Sequence, residues 1–239
     1  MTSTIITNIP QVSTHSLIAN WQSATWQDYL NYRDNPDLQT VRYRLFFNIN
    51  QLLITDMGGE GLNHSRFTEL ISLVLSLWSM QFSGQELTSC GRTLLEKPDT
   101  RAASPDLVFY LGADIPVWQK GEKRAINLDQ WRVPDLVGEI ADTTLSSDLD
   151  EKKRLYAALG IPEYWVVSVR ARQLFVFLLQ EDGKYKESLQ SLAFTGLEIN
   201  LLDQALEQIN QGQPNTRVAA WVVDQIQKNI PQNTSEEIS

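Results

Sequence analysis

The chain has 239 residues, 42% hydrophobic and 21% charged, the composition of a soluble globular protein. It holds no run of about 18 apolar residues that would cross a membrane, and its single cysteine, Cys90, excludes an intrachain disulfide and a cysteine-rich zinc site. The formal net charge of −9 argues against tight, non-specific binding to nucleic-acid backbones, which Lys and Arg drive.

A single domain of this length is expected to bury roughly 70–75% of its unfolded surface. The first residues lack the basic start and apolar run of a signal peptide, and with Cys90 alone the chain suits a reducing cytoplasm. Residues 1–24 are polar and mixed and read as an irregular lead-in. Residues 25–228 read as one domain, and 229–239 as a disordered polar tail.

In chain order, "TWQDYLNYRD" (25–34) reads as a short helix capped by Thr25. "VRYRLFFNI" (41–49) and "QLLITDM" (51–57) read as two strands of a meander, followed by the turn cluster "GGEG" (58–61). Residues 63–82 give the best helix, with Phe67, Ile71, Val74, Leu75, Trp78 and Phe82 on one stripe and Asn63 as its cap. Short strands are expected around 85–95, a strong strand over 104–111, and a long excursion over 112–132. "VPDLVGEIA" (133–141) is a second strong strand. One helix is expected over 146–160, stopped by Gly160. Strands over 162–169, 173–179 and 184–189 follow, then helices over 201–209 and 216–228. Strands lie on both sides of a helix, which places the chain in the mixed α/β class.

The chemistry concentrates in the two strong strands. Asp106, Val108 and Tyr110 alternate with Leu107, Phe109 and Leu111; Asp135, Val137, Glu139 and Ala141 alternate with Leu136, Gly138 and Ile140. Both faces are mainly apolar, as in strands covered on two sides. An ionised carboxylate there is costly without a cation or hydrogen-bond partner. Antiparallel pairing of the two strands would bring Asp106 beside Glu139 and leave Asp135 at the other end. In the following helix, Leu149, Leu155, Tyr156 and Leu159 form the apolar stripe and Lys152 falls near its middle. A lysine on a packing face needs to snorkel or to meet an acid. An Asp, a Glu and a Lys converging at one strand end suit a site that holds Mg²⁺ or Mn²⁺ and activates water beside a phosphate. Structural alternatives stand beside this: Asp106 and Asp135 each follow a proline and can simply start a strand, and Glu139 with Lys152 can be a structural salt bridge. No nucleophile elbow, zinc-protease helix or dinucleotide fingerprint is present.

"PDLVGEI" followed by "SSDLDEKKRLYAALGIPEYWVV" resembles the Uma-two family of restriction-endonuclease-like proteins. The upstream "SPDLVFY" is similar to that family's other Pro-Asp strand, and a histidine before the long helix corresponds to His64. The resemblance implies a PD-(D/E)xK nuclease fold, a mixed central sheet flanked by helices. It implies Asp106 and Glu139 as metal ligands for Mg²⁺ or Mn²⁺, with Lys152 assisting the attacking water or the transition state. The lysine two residues after the second acid in the superfamily pattern is Ala141 here. The Glu found in an early strand of the family is missing; the region "YRLFFNINQ" offers Arg44 and no acid. His64 and Asp135 are expected to support the ligands, and Asp142 to add an acid. Lys120, Lys123 and Arg124, with Arg132, are the candidates for phosphate contacts.

The sequence therefore points to a metal-dependent endonuclease acting on DNA, with a homodimer expected because many nucleases of this fold cut duplexes as dimers. A non-catalytic binding or assembly module of the same fold is the alternative. A carboxylate-pair hydrolase on another substrate is a third reading, but it gives Lys152 no role.

Overall fold

The computed structural model describes residues 20–36, 43–56 and 61–229. Most of the lead-in (1–24), most of the tail (229–239) and all but the last residue of the 58–61 turn cluster lie outside the described residues. Within the expected lead-in, Gln22–Ser23 forms a short strand, β1.

Among the described residues two six-stranded sheets are present. The first contains β1, β2 (Tyr43–Asn48), β3 (Gln51–Asp56), β5 (Leu94–Lys97), β6 (Arg101–Ala103) and β8 (Ala125–Asn127), in the order β1-β3-β2-β6-β5-β8. The second contains β4 (Leu87–Ser89), β7 (Leu107–Leu111), β9 (Leu136–Ala141), β10 (Glu163–Ser168), β11 (Gln173–Leu179) and β12 (Tyr185–Ser188), in the order β12-β11-β10-β9-β7-β4. Only β9–β10 is parallel in the second sheet; β7 pairs antiparallel with β9. A parallel pair needs a crossover, and helices α3 (Leu145–Leu149) and α4 (Glu151–Ala158) supply it.

Alternation along the strands sorts the core into two layers. Leu107, Phe109, Leu136, Ile140 and Trp165 pack under helices α2 (Leu62–Trp78), α5 (Ile199–Asn210) and α6 (Asn215–Asn229). Val108, Tyr110, Val137, Tyr164 and Val166 face the other way, against Leu155 and Tyr156 of α4 and Phe46 and Leu53 of the first sheet. Gly138 lets these layers close up: a Cβ there would lie 3.1 Å from Leu107 Cδ1 and 3.4 Å from Trp165 Cβ, so the neighbours would have to give by a few tenths of an ångström.

Three local expectations are corrected. The helix read over 146–160 is two helices broken at Asp150, whose φ of −123° and ψ of −84° are not helical. The long helix is entered through Gly61 rather than capped by Asn63. It stops being α-helical at Trp78, and Ser79–Ser83 continues as a π-helical turn. Thr25 does cap the first helix, α1 (Trp26–Arg33), in a reciprocal capping box with Asp28. Gly160, at φ +77°, ends α4 as expected.

Candidate functional site

The register Leu107↔Gly138 sets Asp106, the residue before β7, beside Glu139 of β9. A backbone bond fixes the meeting: Ile140 N donates to Asp106 Oδ2 at 2.8 Å. Both acids are 1% exposed. Asp106 is also held from behind, because the carbonyl of Pro105 accepts from Arg92 N at 3.0 Å. There a Cβ on Gly91 would sit 2.7 Å from Asp106 O.

Lys152 projects from α4 into the same hollow. Its Nζ lies 2.8 Å from Asp148 Oδ1 and 3.3 Å from Glu139 Oε2, and 4.4 Å from the centre of the Phe46 ring. The lysine on the apolar stripe therefore meets acids rather than snorkelling to water. Tyr156, one turn on, donates from its hydroxyl to Glu139 Oε1 at 2.5 Å. Thr144 donates to Asp148 Oδ2 at 2.6 Å and Tyr164 to the Asp148 carbonyl at 2.9 Å, so the short helix α3 is tied down.

Two groups close the cluster from other elements. Arg44 of β2 forms an ion pair with Asp106 Oδ1, and its Nη1 is 3.7 Å from Glu139 Oε2. His64, in the first turn of α2, puts Nε2 3.4 Å from Asp106 Oδ2. Arg44 and His64, at 10% and 8% side-chain exposure, are the members nearest solvent.

Burial and charge act against each other here. Burial opposes ionisation of Asp106, but the His64 hydrogen bond and the Arg44 charge outweigh it and hold its carboxyl well below the usual range. Burial pushes Glu139 up to about 8, with Lys152 and Arg44 pulling down and Asp106 and Asp148 adding to the rise. Burial works against the charged form of Lys152, yet Glu139 and Asp148 together raise it above its ordinary value. Among the described residues Asp106, Glu139 and Asp148 share Lys152 and Arg44, and Glu139 is the acid of the three whose carboxyl burial pushes up.

The remaining candidates fall elsewhere. Asp135 sits at the far end of β9, where its Oδ2 accepts from Leu111 N at 2.7 Å and from Arg132 Nη1 at 2.8 Å. It supports the strand end, not the acids, because an antiparallel register separates the starts of paired strands. Arg132 is spent in that clamp and lies over the Tyr110 ring. Asp142 is half-buried beside Gly61, its Oδ2 3.0 Å from where a Cβ would be. The partners of Lys152 among the described residues are Glu139 and Asp148, not Asp142. Lys120, Lys123 and Arg124 are exposed; Lys123 and Arg124 line a cleft of about 1300 Å³ that also takes in Arg92 and Trp118, while Lys120 is not on its wall.

Sequence reasoning did not place Arg44, Asp148 and Tyr156 in the site. The signal for two of them was the spacing Asp148, Lys152, Tyr156, one residue per turn on the face that carries the lysine.

Nucleases of the restriction-endonuclease type generally use divalent metals. The residues as arranged do not fit one. Asp106 and Glu139 already spend all four carboxylate oxygens on Arg44, His64, Ile140 N, Tyr156 and Lys152. Among the described residues there is no group of three or more His, Cys, Asp or Glu arranged to hold an ion.

A family model described as "Uma2: Putative restriction endonuclease" matches residues 26–210. A solved structure described as "a putative nuclease belonging to DUF820" from Anabaena variabilis superposes with a TM-score of 0.52 at 17% identity, covering 77% of this chain and 99% of that one. No curated protein matches.

Proposed function

Because the chain belongs to the Uma2 family of restriction-endonuclease type, we propose that its buried cluster of Asp106, Glu139 and Lys152 acts on the phosphodiester bonds of nucleic acid, with DNA as the substrate. The observation that carries this reading is Lys152: an ammonium group with 4% side-chain exposure, 3.3 Å from Glu139, on the helix that follows the second acid. Its three N–H donors reach Asp148 and Glu139 together, which puts the ammonium beside the carboxylate that would take up a reacting proton.

Hydrolysis of a phosphodiester needs a base for the attacking water and positive charge for the oxygens of the crowded phosphorus. Glu139 in its ionised form is the residue to accept the proton as the water–phosphorus bond forms, and because burial pushes its carboxyl up to about 8, this step is expected to quicken as the pH rises toward that value. Lys152 offers N–H donors where negative charge grows as the phosphorus–oxygen bond to the leaving group breaks. Asp106 orients the opposite side through Arg44 and His64. No step is assigned to a metal ion, since the carboxylates are already engaged. The cleft lined by Arg92, Lys123, Arg124 and the 58%-exposed Trp118 offers phosphate contacts and a stacking surface on an otherwise acidic chain. It is bordered by Leu45 and Ser104, close in sequence to Arg44 and Asp106.

One observation favours a second reading. Arg44 takes up pairing capacity on both acids, which suits a non-catalytic member of the fold that holds nucleic acid without cutting it. Labelled single- and double-stranded DNA incubated with the protein, in Mg²⁺ and in chelator, separates the two. The nuclease reading expects cleavage that drops about 100-fold or more in Glu139→Gln and in Lys152→Met. Retention of the label by anisotropy with no product under either condition supports the binding reading and overturns the first.

A further inference from the structure

We infer that Arg44 is the resident cation of the Asp106–Glu139 pair, and that its guanidinium keeps a divalent ion out of the place between the two acids. The inference rests on the reading of these acids as the family's carboxylate pair, but not on whether the chain hydrolyses DNA.

The guanidinium bridges the pair. One terminal nitrogen is ion-paired with Asp106 Oδ1 and the other is 3.7 Å from Glu139 Oε2. Magnesium needs oxygen ligands at roughly 2.0–2.1 Å in a near-octahedral shell. Such an ion would have to take the Asp106 oxygen that Arg44 holds, and it would then sit within a few ångströms of a positive charge. Arg44 cannot give up that charge by losing a proton, because a guanidinium stays protonated throughout the ordinary pH range.

Nor is the arginine free to drift. It lies in β2, paired to β3 at Arg44↔Thr55, and farther along the same strand to β6 at Phe47↔Ala102. Phe46, on the same face two residues later, is buried beneath Lys152. Arg44 is itself 9% exposed. A side chain planted in a strand between two neighbours, reaching two buried carboxylates, is part of the site and not a surface residue that folds in.

The charge balance points the same way. Asp106, Glu139 and Asp148 face Lys152 and Arg44, and Lys152 is already shared between Glu139 and Asp148. Asp106 depends on Arg44 for its counter-charge, with His64 Nε2 a further 3.4 Å contact on Oδ2. Removing the guanidinium leaves the pair short of positive charge and opens the volume it filled, which are the two conditions for binding a hard cation. Replacing it with a carboxylate adds a third oxygen donor as well.

The test is Mn²⁺ binding to the full chain, followed by the loss of the free Mn²⁺ electron-paramagnetic-resonance signal near neutral pH. Wild type is expected to show no site that depends on Glu139. Arg44→Glu is expected to bind one Mn²⁺ per chain at least about tenfold more tightly, an effect erased by adding Glu139→Gln. Arg44→Gln, uncharged and of similar length, is expected to move in the same direction by a smaller factor, and circular dichroism reports whether each variant is folded. A wild-type Mn²⁺ site that Glu139→Gln removes would overturn the inference, as would folded Arg44→Glu and Arg44→Gln that gain no affinity. If Arg44→Glu fails to fold, Arg44→Gln decides. DNA cleavage is scored separately: its absence in every variant sinks the nuclease reading and leaves the metal result standing.

Discussion

Lys152 Nζ lies 2.8 Å from Asp148 Oδ1, one turn earlier in sequence but across the break at Asp150 that divides α3 from α4. The pair therefore pins two helices together rather than strengthening one. Removing one partner of a buried ion pair strands the other charge, which typically costs about 3–5 kcal/mol. Lys152→Met is expected to lose stability in that range by urea denaturation. Lys152→Met with Asp148→Asn should recover part of the loss, because the stranded charge is gone. Additive losses would show that the two residues do not interact.

Asp106→Asn keeps an oxygen for Ile140 N but removes the counter-charge of Arg44. A loss of about 3 kcal/mol at neutral pH is expected. The Asp106 carboxyl is held below its ordinary 3.8 in the folded chain, so its contribution is fully present above that value and is lost as the pH falls toward the folded value. The gap between wild type and Asp106→Asn should thus narrow below about pH 4. A gap that widens in acid would contradict the assignment.

Glu163 titrates in the opposite sense. It accepts from Trp165 Nε1 at 2.5 Å and from Leu192 N and Ala193 N at 2.8 Å each, stapling the 191–195 turn to β10. Burial nevertheless raises its carboxyl above the ordinary 4.5, with those hydrogen bonds pulling against the rise. A raised folded value stabilises the fold below the unfolded value, and that contribution fades as the pH climbs through the folded value. Wild type is expected to lose stability relative to Glu163→Gln as the pH rises from about 4.5. Denaturation curves across that range, compared pairwise, give the slope.

Gly91→Ala tests how the backbone of Asp106 is held. A Cβ there meets Asp106 O at 2.7 Å, and a backbone atom cannot step aside as a flexible side chain does. A destabilisation of about 1–3 kcal/mol is expected, with the cluster disturbed as well, visible as changed Tyr156 and Tyr164 signals in NMR. An unperturbed Gly91→Ala protein would mean the loop yields freely.

Much of this cluster was legible in the sequence. Asp106 and Glu139 stood out because carboxylates interrupted two-sided apolar strands, and Lys152 because it fell on an apolar helical stripe. Alternation gave the faces; that the two strands pair antiparallel was a condition of the reading, and the register Leu107↔Gly138 meets it. Asp135 shares a face with Glu139, but the antiparallel pairing that brings Asp106 to Glu139 leaves Asp135 at the other strand end, where it meets Arg132. Arg44 was visible as a missing acid, but a lone arginine in "YRLFFN" gives no sign of what it reaches, since its partners lie 62 and 95 positions away. The strand Arg101–Ala103 is too short to show a period. The break at Asp150 left no signal either, because neither glycine nor proline marks it.

The most direct test is a crystal of the wild-type protein soaked in Mn²⁺, with anomalous scattering recorded at the manganese edge. The account predicts guanidinium density from Arg44 lying between Asp106 and Glu139, Lys152 turned inward to Asp148, and no anomalous peak there. A manganese peak bound by both carboxylates, with Arg44 swung away, would contradict it.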